Sequence, residues 1–598
     1  MNGGEGGMVP GGSKPGMAMD GAGIVTRYLD AVLRRASVPM EDEPFEPDWQ
    51  DRPRSHKVYR GAPGFPLPER APRPPLELGE VLLNRRPGRR QGREAVFTVP
   101  LLAGMLRHSY GWLSRRLQVD PNPGRRGQAA YTHAEWARGS AAGGGLYPCE
   151  LYWVCGRGGG PLPGVYHYAQ PTHSLSRVAT ADLSAHVRSA LGSGAGAGAG
   201  EHFLLVTSRL WQNAFKYGEF SHHCVTMDLG CLLRTWQIWA AACGIELKPR
   251  LCFDEPRLDR LLGLDPATES VLAVVPLPWR YAADGVPEET ADDGTAACPA
   301  PLGSPPVAHP GSSPVTAEVA ERSRTVRRFP AAEAAHLAAV YDARPFPAPE
   351  ALAEAARVTL VRDGPAGGGT PEAPGLPAAA TVPLPQPTPL TSGVAEALAA
   401  RRSSFGRFSA HRPLAAEDLA ALLSAAAAGA QVETGQVPLT RLAVFVQHVA
   451  DVPAGPYLYE PAAHALVPLP GPAPHPFLQR VYTLTNYNLE QAAVALFVLA
   501  RPHAVVAAAG PRGYRLFNAE AGAVAQAVYL AAAALDTGCG AALGFDYEAV
   551  HAALAPAVGA GTWPLLLLMA GHERPGRARF DASVVPRAPH PRTDGTDL

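Results

Sequence analysis

One arrangement of residues occurs twice in this chain, in two copies that lie about 290 residues apart. Residues 164–168 (GVYHY) in the first copy and 455–459 (GPYLY) in the second are each followed, five residues later, by a histidine. Further on, the triplets at 228–230 (DLG) and 520–522 (EAG) each open an apolar helical run. The offset between the copies changes only from 291 to 292 over this distance. A period of this length predicts two whole domains rather than a solenoid of short repeats.

The composition is typical of a soluble globular protein. Hydrophobic residues make up 46% of the 598 positions, and the 62 glycines and 62 prolines indicate long irregular connections. The formal net charge is −1 and no run of Lys and Arg is prolonged, so we expect no nucleic-acid partner. No stretch reaches about 18 uncharged apolar residues, which predicts a cytoplasmic protein with no membrane partner. The eight cysteines include no C-x-x-C pair, which predicts free thiols and no metal site.

Strands and helices alternate in both copies, which predicts an α+β or α/β core. The predicted strands are 151–154, 164–168, 203–206 and 271–275 in the first copy, and 442–446, 456–459, 504–508 and 564–569 in the second. The long helices are predicted at 228–243 and 520–535. The predicted division of the chain is a disordered N-terminus at 1–23, a first domain at 24–282, a linker at 283–316, a helical insert at 317–362, a linker at 363–391, a second domain at 392–582 and a flexible tail at 583–598.

A basic segment of the second copy carries Arg401, Arg402, Ser403 and Arg407 between two predicted helices. Arginine offers fork-shaped donors and serine a short hydroxyl, so these side chains can surround a phosphate. A solvated basic turn explains the same residues, and the local sequence alone favours that simpler interpretation.

A small-residue loop of the first copy contains Ser140, Ala141, Gly143 and Gly144 and leads directly into a predicted strand. Because glycine leaves the backbone bare, N–H groups of this loop can approach a flat heterocycle closely. A plain flexible loop is the alternative, and the tight connection to a strand makes it less favourable.

Lys216 and Tyr217 precede the helix that opens at Asp228 in the first copy. A lysine beside a tyrosine suits proton transfer if burial, or each side chain acting on the other, lowers their pKa values. Most such pairs are ordinary surface residues, and this pair alone is a weak signal.

Taken in chain order, these segments resemble the nitroreductase-like flavoproteins, and within them the SagB-type or azoline (thiazoline/oxazoline) dehydrogenases. The resemblance covers most of both halves. Its most specific matches are the loop at 139–148 (GSAAGGGLYP) and the segment at 216–218 (KYG) ahead of Asp228. The resemblance implies an α+β fold that binds FMN, with active sites at a dimer interface where both subunits touch each flavin.

The two copies have lost different parts of this family's site. The Arg-Arg-Ser motif at 401–403 corresponds to Arg-Arg-Pro at 85–87, and Leu543-Gly544, which would flank the flavin, corresponds to Leu251-Cys252. Conversely, the Ser140 loop and the Lys216-Tyr217 pair have only 430–437 and 508–509 opposite them. In homodimeric relatives the first set comes from one subunit and the loop from its partner. We therefore predict two tandem nitroreductase-like domains that form an intrachain pseudo-dimer with one complete FMN site. Which site Lys216 and Tyr217 face stays open.

By resemblance, the chain oxidises a peptide-borne azoline to an azole in the biosynthesis of a ribosomally made peptide, with Tyr217 or Lys216 as base and oxygen as electron acceptor. The implied partners are a modified precursor peptide and cyclodehydratase enzymes. One alternative is an NAD(P)H-dependent flavin reductase or nitroreductase of small molecules, which the Lys-Tyr pair disfavours. The other is a non-catalytic scaffold subunit of a peptide-modifying complex, which the complementary losses disfavour.

Overall fold

The structure is a computed structural model, and it describes residues 20–584 with several gaps. The gaps are 44, 71, 84–95, 121–129, 193–199, 280–320, 343, 345–346, 359, 361–380, 405–406, 431–436 and 575–578. The predicted linker at 283–316 and the Arg-Arg-Pro segment at 85–87 therefore lie outside the described residues, as do most of the two predicted chain ends.

The first half of the chain, residues 20–279, forms one unit of strands and helices. Its strands are β1 (Gly64–Pro66), β2 (Ser114–Asp120), β3 (Ala130–Ala137), β4 (Cys149–Cys155), β5 (Gly164–Ala169), β6 (Ser174–Ala179), β7 (His202–Arg209) and β8 (Glu269–Pro276). Its helices are α1 (Gly21–Arg34), α2 (Leu78–Leu82), α3 (Val99–Ser109), α4 (Ser184–Leu191), α5 (Leu210–Tyr217), α6 (Ser221–Ala242) and α7 (Glu255–Leu262). Six strands form an antiparallel sheet in the order β1-β6-β5-β4-β7-β8.

The second half, from residue 381 onward, repeats this plan. Its helices are α10 (Val394–Ala400), α11 (Ala416–Gly429), α12 (Pro474–Val481), α13 (Pro502–Ala509), α14 (Arg512–Ala534) and α15 (Tyr547–Val558), which follow α8 (Pro330–Val340) and α9 (Pro349–Ala356) of the insert. Its strands are β9 (Val382–Pro383), β10 (Thr440–Val446), β11 (Gly455–Glu460), β12 (Ala465–Pro468), β13 (Val494–Ala500), β14 (Gly538–Ala542), β15 (Trp563–Gly571) and β16 (Arg579–Ser583). The sheet order β12-β11-β10-β13-β15 has the same path as β6-β5-β4-β7-β8.

The sequence motif that occurs twice is the same hairpin in both units. Tyr168 on β5 makes a 2.9 Å hydrogen bond to Nδ1 of His173, and Tyr459 on β11 makes a 3.0 Å hydrogen bond to Nδ1 of His464. Both histidines are left-handed, with φ of 48°. The tyrosine therefore closes the turn in each unit, which explains why spacing and residue types agree.

The two units meet where α6 crosses α14. A Cβ added at Gly230 would overlap with the carbonyl oxygen of Ala519, and one added at Gly522 would overlap with that of Met227. These contacts are reciprocal at the offset of 292 that relates the two sequences. Glycine is required at both positions because the two backbones touch. The crossing is buried, so the units share one hydrophobic core.

The end of the chain returns to the first unit. β16 pairs with β2, and β2 pairs with β3, to form a separate three-stranded sheet in the order β16-β2-β3. The predicted second domain at 392–582 therefore contributes a strand to the first. The predicted flexible tail begins at residue 583, which is still the last residue of β16.

The predicted helical insert contains α8 and α9, and it bridges both units. Glu219 of the first unit accepts a 2.8 Å hydrogen bond from Ala332 N at the start of α8. Arg512 of the second unit donates a 3.2 Å hydrogen bond to the carbonyl of Arg344. The insert belongs to neither sheet, and these hydrogen bonds connect it to both units.

Five predicted elements differ from the structure. Two are the long helices, because α6 begins at Ser221 and α14 at Arg512, ahead of the predicted starts at 228 and 520. The other three are a strand, part of a linker and part of the N-terminus. Residues 504–508 lie in α13 and not in a strand, because Pro502 starts a helix there and the alanines that follow favour helix. The corresponding strand is β13, a fully buried apolar run. Residues 381–391 were predicted as part of a linker, but β9 pairs with the edge of β12. Residues 21–23 begin α1, with Asp20 as its N-cap, and are not disordered.

No helix in the described part of the chain combines the length and the apolar character that crossing a membrane requires.

Candidate active site

The glycine loop of the first unit packs directly on the Lys-Tyr pair. Gly144 is left-handed, with φ of 60°, and a Cβ added there would lie 2.5 Å from Tyr217 Oη and 2.6 Å from Lys216 Nζ. The pair is held at the last turn of α5, where Gly218 ends the helix. Both predicted catalytic side chains therefore lie beside the Ser140 loop and not on the far side of the molecule.

Asp228 of α6 also holds this loop, through a hydrogen bond to its backbone. Its Oδ1 accepts a 2.7 Å hydrogen bond from Gly143 N, and its side chain is 7% exposed. Burial raises the pKa of Asp228 to about 7, against the hydrogen bond from Gly143, which lowers it. The Oδ2 atom is buried and has no hydrogen-bond partner among the described residues.

The second unit clamps this loop across the interface. Gln526 of α14 donates a 3.0 Å hydrogen bond to the carbonyl of Gly139 and accepts a 2.9 Å hydrogen bond from Ala141 N. Ser140 is fully buried, and its hydroxyl donates to Thr235 Oγ1 at 2.9 Å. Loop conformation in the first unit therefore depends on a side chain of the second.

The predicted phosphate motif lies against the start of this loop. Arg401 is 6% exposed, donates a 2.9 Å hydrogen bond to the carbonyl of Arg138 and has its guanidinium over the ring of Tyr529. Ser403 Oγ is 3.0 Å from Tyr529 Oη, and Arg402 forms an ion pair with Glu573. Arg407 donates a 3.3 Å hydrogen bond to the carbonyl of Arg574.

Leu543 and Gly544 are connected to the first unit through Arg35. The guanidinium of Arg35 donates a hydrogen bond to the carbonyl of Leu543 and lies 3.9 Å from the centre of the Phe220 ring, three residues after Tyr217. Gly544 accepts a 2.9 Å hydrogen bond from Thr483 N, and a Cβ added there would lie 2.5 Å from Leu484. Arg35 therefore links the backbone of the second unit to the start of α6 in the first.

The pKa values of the pair move in opposite directions. Burial lowers the pKa of Lys216 and outweighs Cys224, which raises it, so the neutral amine is populated at lower pH than for an ordinary lysine. Burial also raises the pKa of Tyr217 well above its ordinary value, and Cys224 and Asp228 raise it further. The condition of a lowered pKa is therefore met by Lys216 and not by Tyr217, because burial disfavours the charged form of each group.

Several buried donors near the phosphate motif have no acceptor among the described residues. They are Nε of Arg401, Nε and Nη1 of Arg138, and Oγ of Ser404. Arg138 is 5% exposed, and its guanidinium stands 4.1 Å from the centre of the Tyr147 ring. Buried cations normally have a counter-charge, so these groups fit an anion such as a phosphate. No group of three or more His, Cys, Asp or Glu side chains in the described residues could hold a metal ion.

The segment of the first unit that corresponds to Leu543 and Gly544 is held by different contacts. At the position corresponding to Leu543, the carbonyl of Leu251 accepts a hydrogen bond from Arg515, and the carbonyl of Phe253 accepts one of 2.8 Å from Arg512. Both arginines also bind Glu255, at 2.6 Å and 2.5 Å, and Glu255 is fully buried. Here protein cations and a protein carboxylate neutralise one another beside Cys252.

Sequence reasoning missed four residues of the site: Asp228 as a loop anchor, Gln526, Arg35 and Arg138. Asp228 was recognised only as the start of a helical run, and the other three lie outside the repeated motifs. A pattern of polar residues on otherwise apolar α6 and α14 was the available signal for Asp228 and Gln526. Arg35 and Arg138 carry no signal that separates them from surface arginines.

The sequence profile of the Nitroreductase family matches residues 398–572, and no curated protein sequence matches the chain. A crystal structure described as a nitroreductase from Anabaena variabilis aligns with a TM-score of 0.62 and 20% identity, over 92% of this chain and 99% of that chain. One described as a nitroreductase from Ralstonia eutropha gives 0.26 and 22%, over 37% and 100%. The E. coli microcin synthetase McbBCD complex with truncated pro-MccB17 bound gives 0.22 and 15%, over 40% and 75%. The last two TM-scores are too low to carry an argument. The chain therefore has the α+β nitroreductase fold and contains a Nitroreductase family domain at residues 398–572.

Proposed function

We propose that this protein is an FMN-dependent dehydrogenase that oxidises azolines in a modified precursor peptide to azoles. The observation that carries the proposal is the meeting of the Ser140 loop and the Lys216-Tyr217 pair, from one unit, with the cationic motif of the other. The nitroreductase fold makes oxidoreductase chemistry the class to expect. The Lys-Tyr segment resembles that of azoline dehydrogenases, and this resemblance is the basis for proposing an azoline as the substrate.

The two units would together hold one FMN as an intrachain pseudo-dimer. Arg401, Arg402, Ser403 and Arg407 would bind the phosphate, helped by Ser404, whose hydroxyl has no acceptor in the part of the chain that the structure describes. The loop containing Ser140, Ala141, Gly143 and Gly144 would flank the ring system, with Leu543 and Gly544 on the side of the second unit. Bound FMN supplies the acceptor for a hydride. Oxygen is the proposed final electron acceptor.

Lys216 would act as the general base. Oxidation of an azoline requires removal of a proton from the ring carbon attached to the peptide carbonyl, and burial lowers the pKa of Lys216, which shifts its amine toward the neutral form that a base requires. Tyr217 keeps its proton because burial raises its pKa, so its hydroxyl is a hydrogen-bond donor. The donor and the base lie side by side at Gly144.

One observation favours the scaffold alternative. Arg402 and Ser403 already have protein partners, Glu573 and Tyr529, as they would in a unit that no longer binds a cofactor. The unmatched donors of Arg401, Arg138 and Ser404 argue in the other direction. Cyclodehydratase enzymes are the partners that would deliver the azoline in the proposed reaction.

The test is FMN bound per chain in the wild type, Arg402→Ala and Arg86→Ala, followed by turnover of an azoline-containing peptide. We expect one FMN per chain, lost in Arg402→Ala and retained in Arg86→Ala, and azole formation that depends on Lys216. Two FMN per chain would contradict the single composite site. Absence of FMN would favour the scaffold, and turnover of NAD(P)H with small electrophiles but not of azolines would favour a flavin reductase.

A further inference from the structure

The carboxylate of Asp228 makes different hydrogen bonds from that of Glu520, its counterpart in the second unit. Asp228 and Glu520 occupy corresponding positions of α6 and α14, both are buried, and burial raises the pKa of each to about 7. Oε1 of Glu520 accepts hydrogen bonds from Leu439 N at 2.7 Å and from N and Oγ1 of Thr440, both at 2.8 Å. Glu520 therefore fixes the first residues of β10, which is a structural role.

Asp228 does not have that structural role in the first unit. There the first N–H of β4, that of Cys149, donates to Tyr110 Oη at 3.0 Å. Aspartate is one methylene shorter than glutamate, and it instead accepts a single 2.7 Å hydrogen bond from Gly143 in the glycine loop. Its second oxygen remains buried and unpartnered among the described residues. An unmatched buried carboxylate oxygen is costly unless the site uses it or keeps it protonated.

Among the described residues, no cation acts on the pKa of Asp228, which burial raises and the hydrogen bond from Gly143 lowers. The ionisable groups within electrostatic reach are Tyr217, Cys224, Cys231, Cys149, Tyr110 and Tyr147. Burial raises the pKa of all six, so they are neutral near pH 7. On the loop side, Lys216 lies beside Gly144, the residue after Gly143.

We propose that Asp228 is a positioning residue of the candidate site, which holds Gly143 and Gly144 against Lys216 and Tyr217 and places a buried carboxyl at the loop that would flank the cofactor. The proposal rests on the proposed function for the identity of the cofactor. Asp228 acts through the loop, whereas Glu520 serves only the fold. Because the carboxyl is neutral below its pKa and anionic above it, the affinity of the wild type for the anionic FMN should fall relative to that of Asp228→Asn as pH rises through about 7.

The experiment measures FMN affinity between pH 5.5 and 8.5 in Asp228→Ala and Asp228→Asn, with Glu520→Ala and Glu520→Gln as matched controls. Asp228→Ala should bind FMN at least about tenfold more weakly, because the loop loses its anchor. Asp228→Asn keeps an acceptor for Gly143 N–H, so it should bind within about threefold of wild type at pH 6 and more tightly than wild type above about pH 7. Both Glu520 variants should keep the wild-type pH profile even if they are less stable.

Wild-type affinity in Asp228→Ala, or an equal loss in Glu520→Ala, would overturn the proposal. Hydrogen–deuterium exchange of the protein without FMN gives a readout independent of the cofactor. Amides of the loop at 141–146 should exchange faster in Asp228→Ala than in the wild type, and at the wild-type rate in Glu520→Ala. Faster exchange in Glu520→Ala with wild-type exchange in Asp228→Ala would reject the positioning role. If no form binds FMN while exchange behaves as expected, the proposed function fails and the positioning role of Asp228 stands.

Discussion

Gly144 is the position where backbone conformation and site geometry meet most closely. It is left-handed, and any side chain there would collide with Tyr217 Oη and Lys216 Nζ. Gly145 is also left-handed, with φ of 69°, but an added Cβ meets nothing within 4 Å. Alanine at either position costs about 1–2 kcal/mol of backbone strain. A comparison of the two alanine variants therefore separates the effect of backbone strain from that of the contact with Lys216 and Tyr217.

We expect Gly144→Ala to weaken FMN binding at least about tenfold more than Gly145→Ala does, a difference of about 1.4 kcal/mol. The reason is that only the first methyl displaces the Lys-Tyr pair. Fluorescence titration of FMN into each variant measures the difference. Equal losses in both variants would show that loop strain, and not the contact with Lys216 and Tyr217, determines binding.

Lys216 can be titrated directly because the chain has only four lysines, Lys14, Lys57, Lys216 and Lys248. Burial lowers the pKa of Lys216 from its ordinary value of 10.5, so its amine should become reactive at lower pH than an exposed amine. Only the neutral amine is labelled, so reactivity rises with pH through the pKa. Competitive acetylation across a pH series, read by mass spectrometry, measures it, with the exposed Lys248 as reference. Coincident pH profiles for the two lysines would remove Lys216 as the base.

The crossing of α6 and α14 depends on two glycines that face the opposite backbone. Gly230→Ala or Gly522→Ala would push a methyl into a carbonyl of the other helix, and we expect each to lower the free energy of unfolding by about 3 kcal/mol. Gly23→Ala, in α1, is the control, because its nearest neighbour would be 3.5 Å away and alanine favours helix by up to about 1 kcal/mol. Urea unfolding of the three variants measures the effects. Stability within about 0.5 kcal/mol of wild type in either crossing variant would mean that the helices can separate there.

How much of these elements could be predicted depends on whether local pattern or long-range contact decides them. Strands β4, β5, β7 and β8 were predicted within a few residues, because their apolar runs are bounded by clear turns. The alanine-rich run at 504–508 has no clear helical or strand period, and the sequence analysis predicts a strand there. Pro502, which favours the start of a helix, explains why the run is helical in the structure. The segments of the candidate site are visible in the sequence, but the clamp by Gln526 depends on how α6 meets α14. A linear sequence does not contain that contact.

The molecule is held together across its two halves by a buried ion cluster as well as by the helix crossing. Glu255 belongs to α7 of the first unit, and Arg512 and Arg515 belong to α14 of the second. All three side chains are buried, and the arginines also donate to the carbonyls of Phe253 and Leu251. Removing one member of a buried ion pair typically costs about 3–5 kcal/mol, because the remaining charge has no counter-charge.

Glu255→Gln should therefore destabilise the whole chain and not only its first unit. The amide leaves two adjacent guanidiniums uncompensated, and we expect a loss of about 3–5 kcal/mol with both units unfolding in one transition. Differential scanning calorimetry measures both quantities. Glu246→Gln is the control, because Glu246 pairs with Lys248 on the surface, where both side chains are more than 70% exposed, and such pairs contribute about 0–1 kcal/mol. Two separate transitions in the Glu255 variant, one unchanged from wild type, would show that the halves fold independently and that the interface seen at α6 and α14 is not what stabilises them.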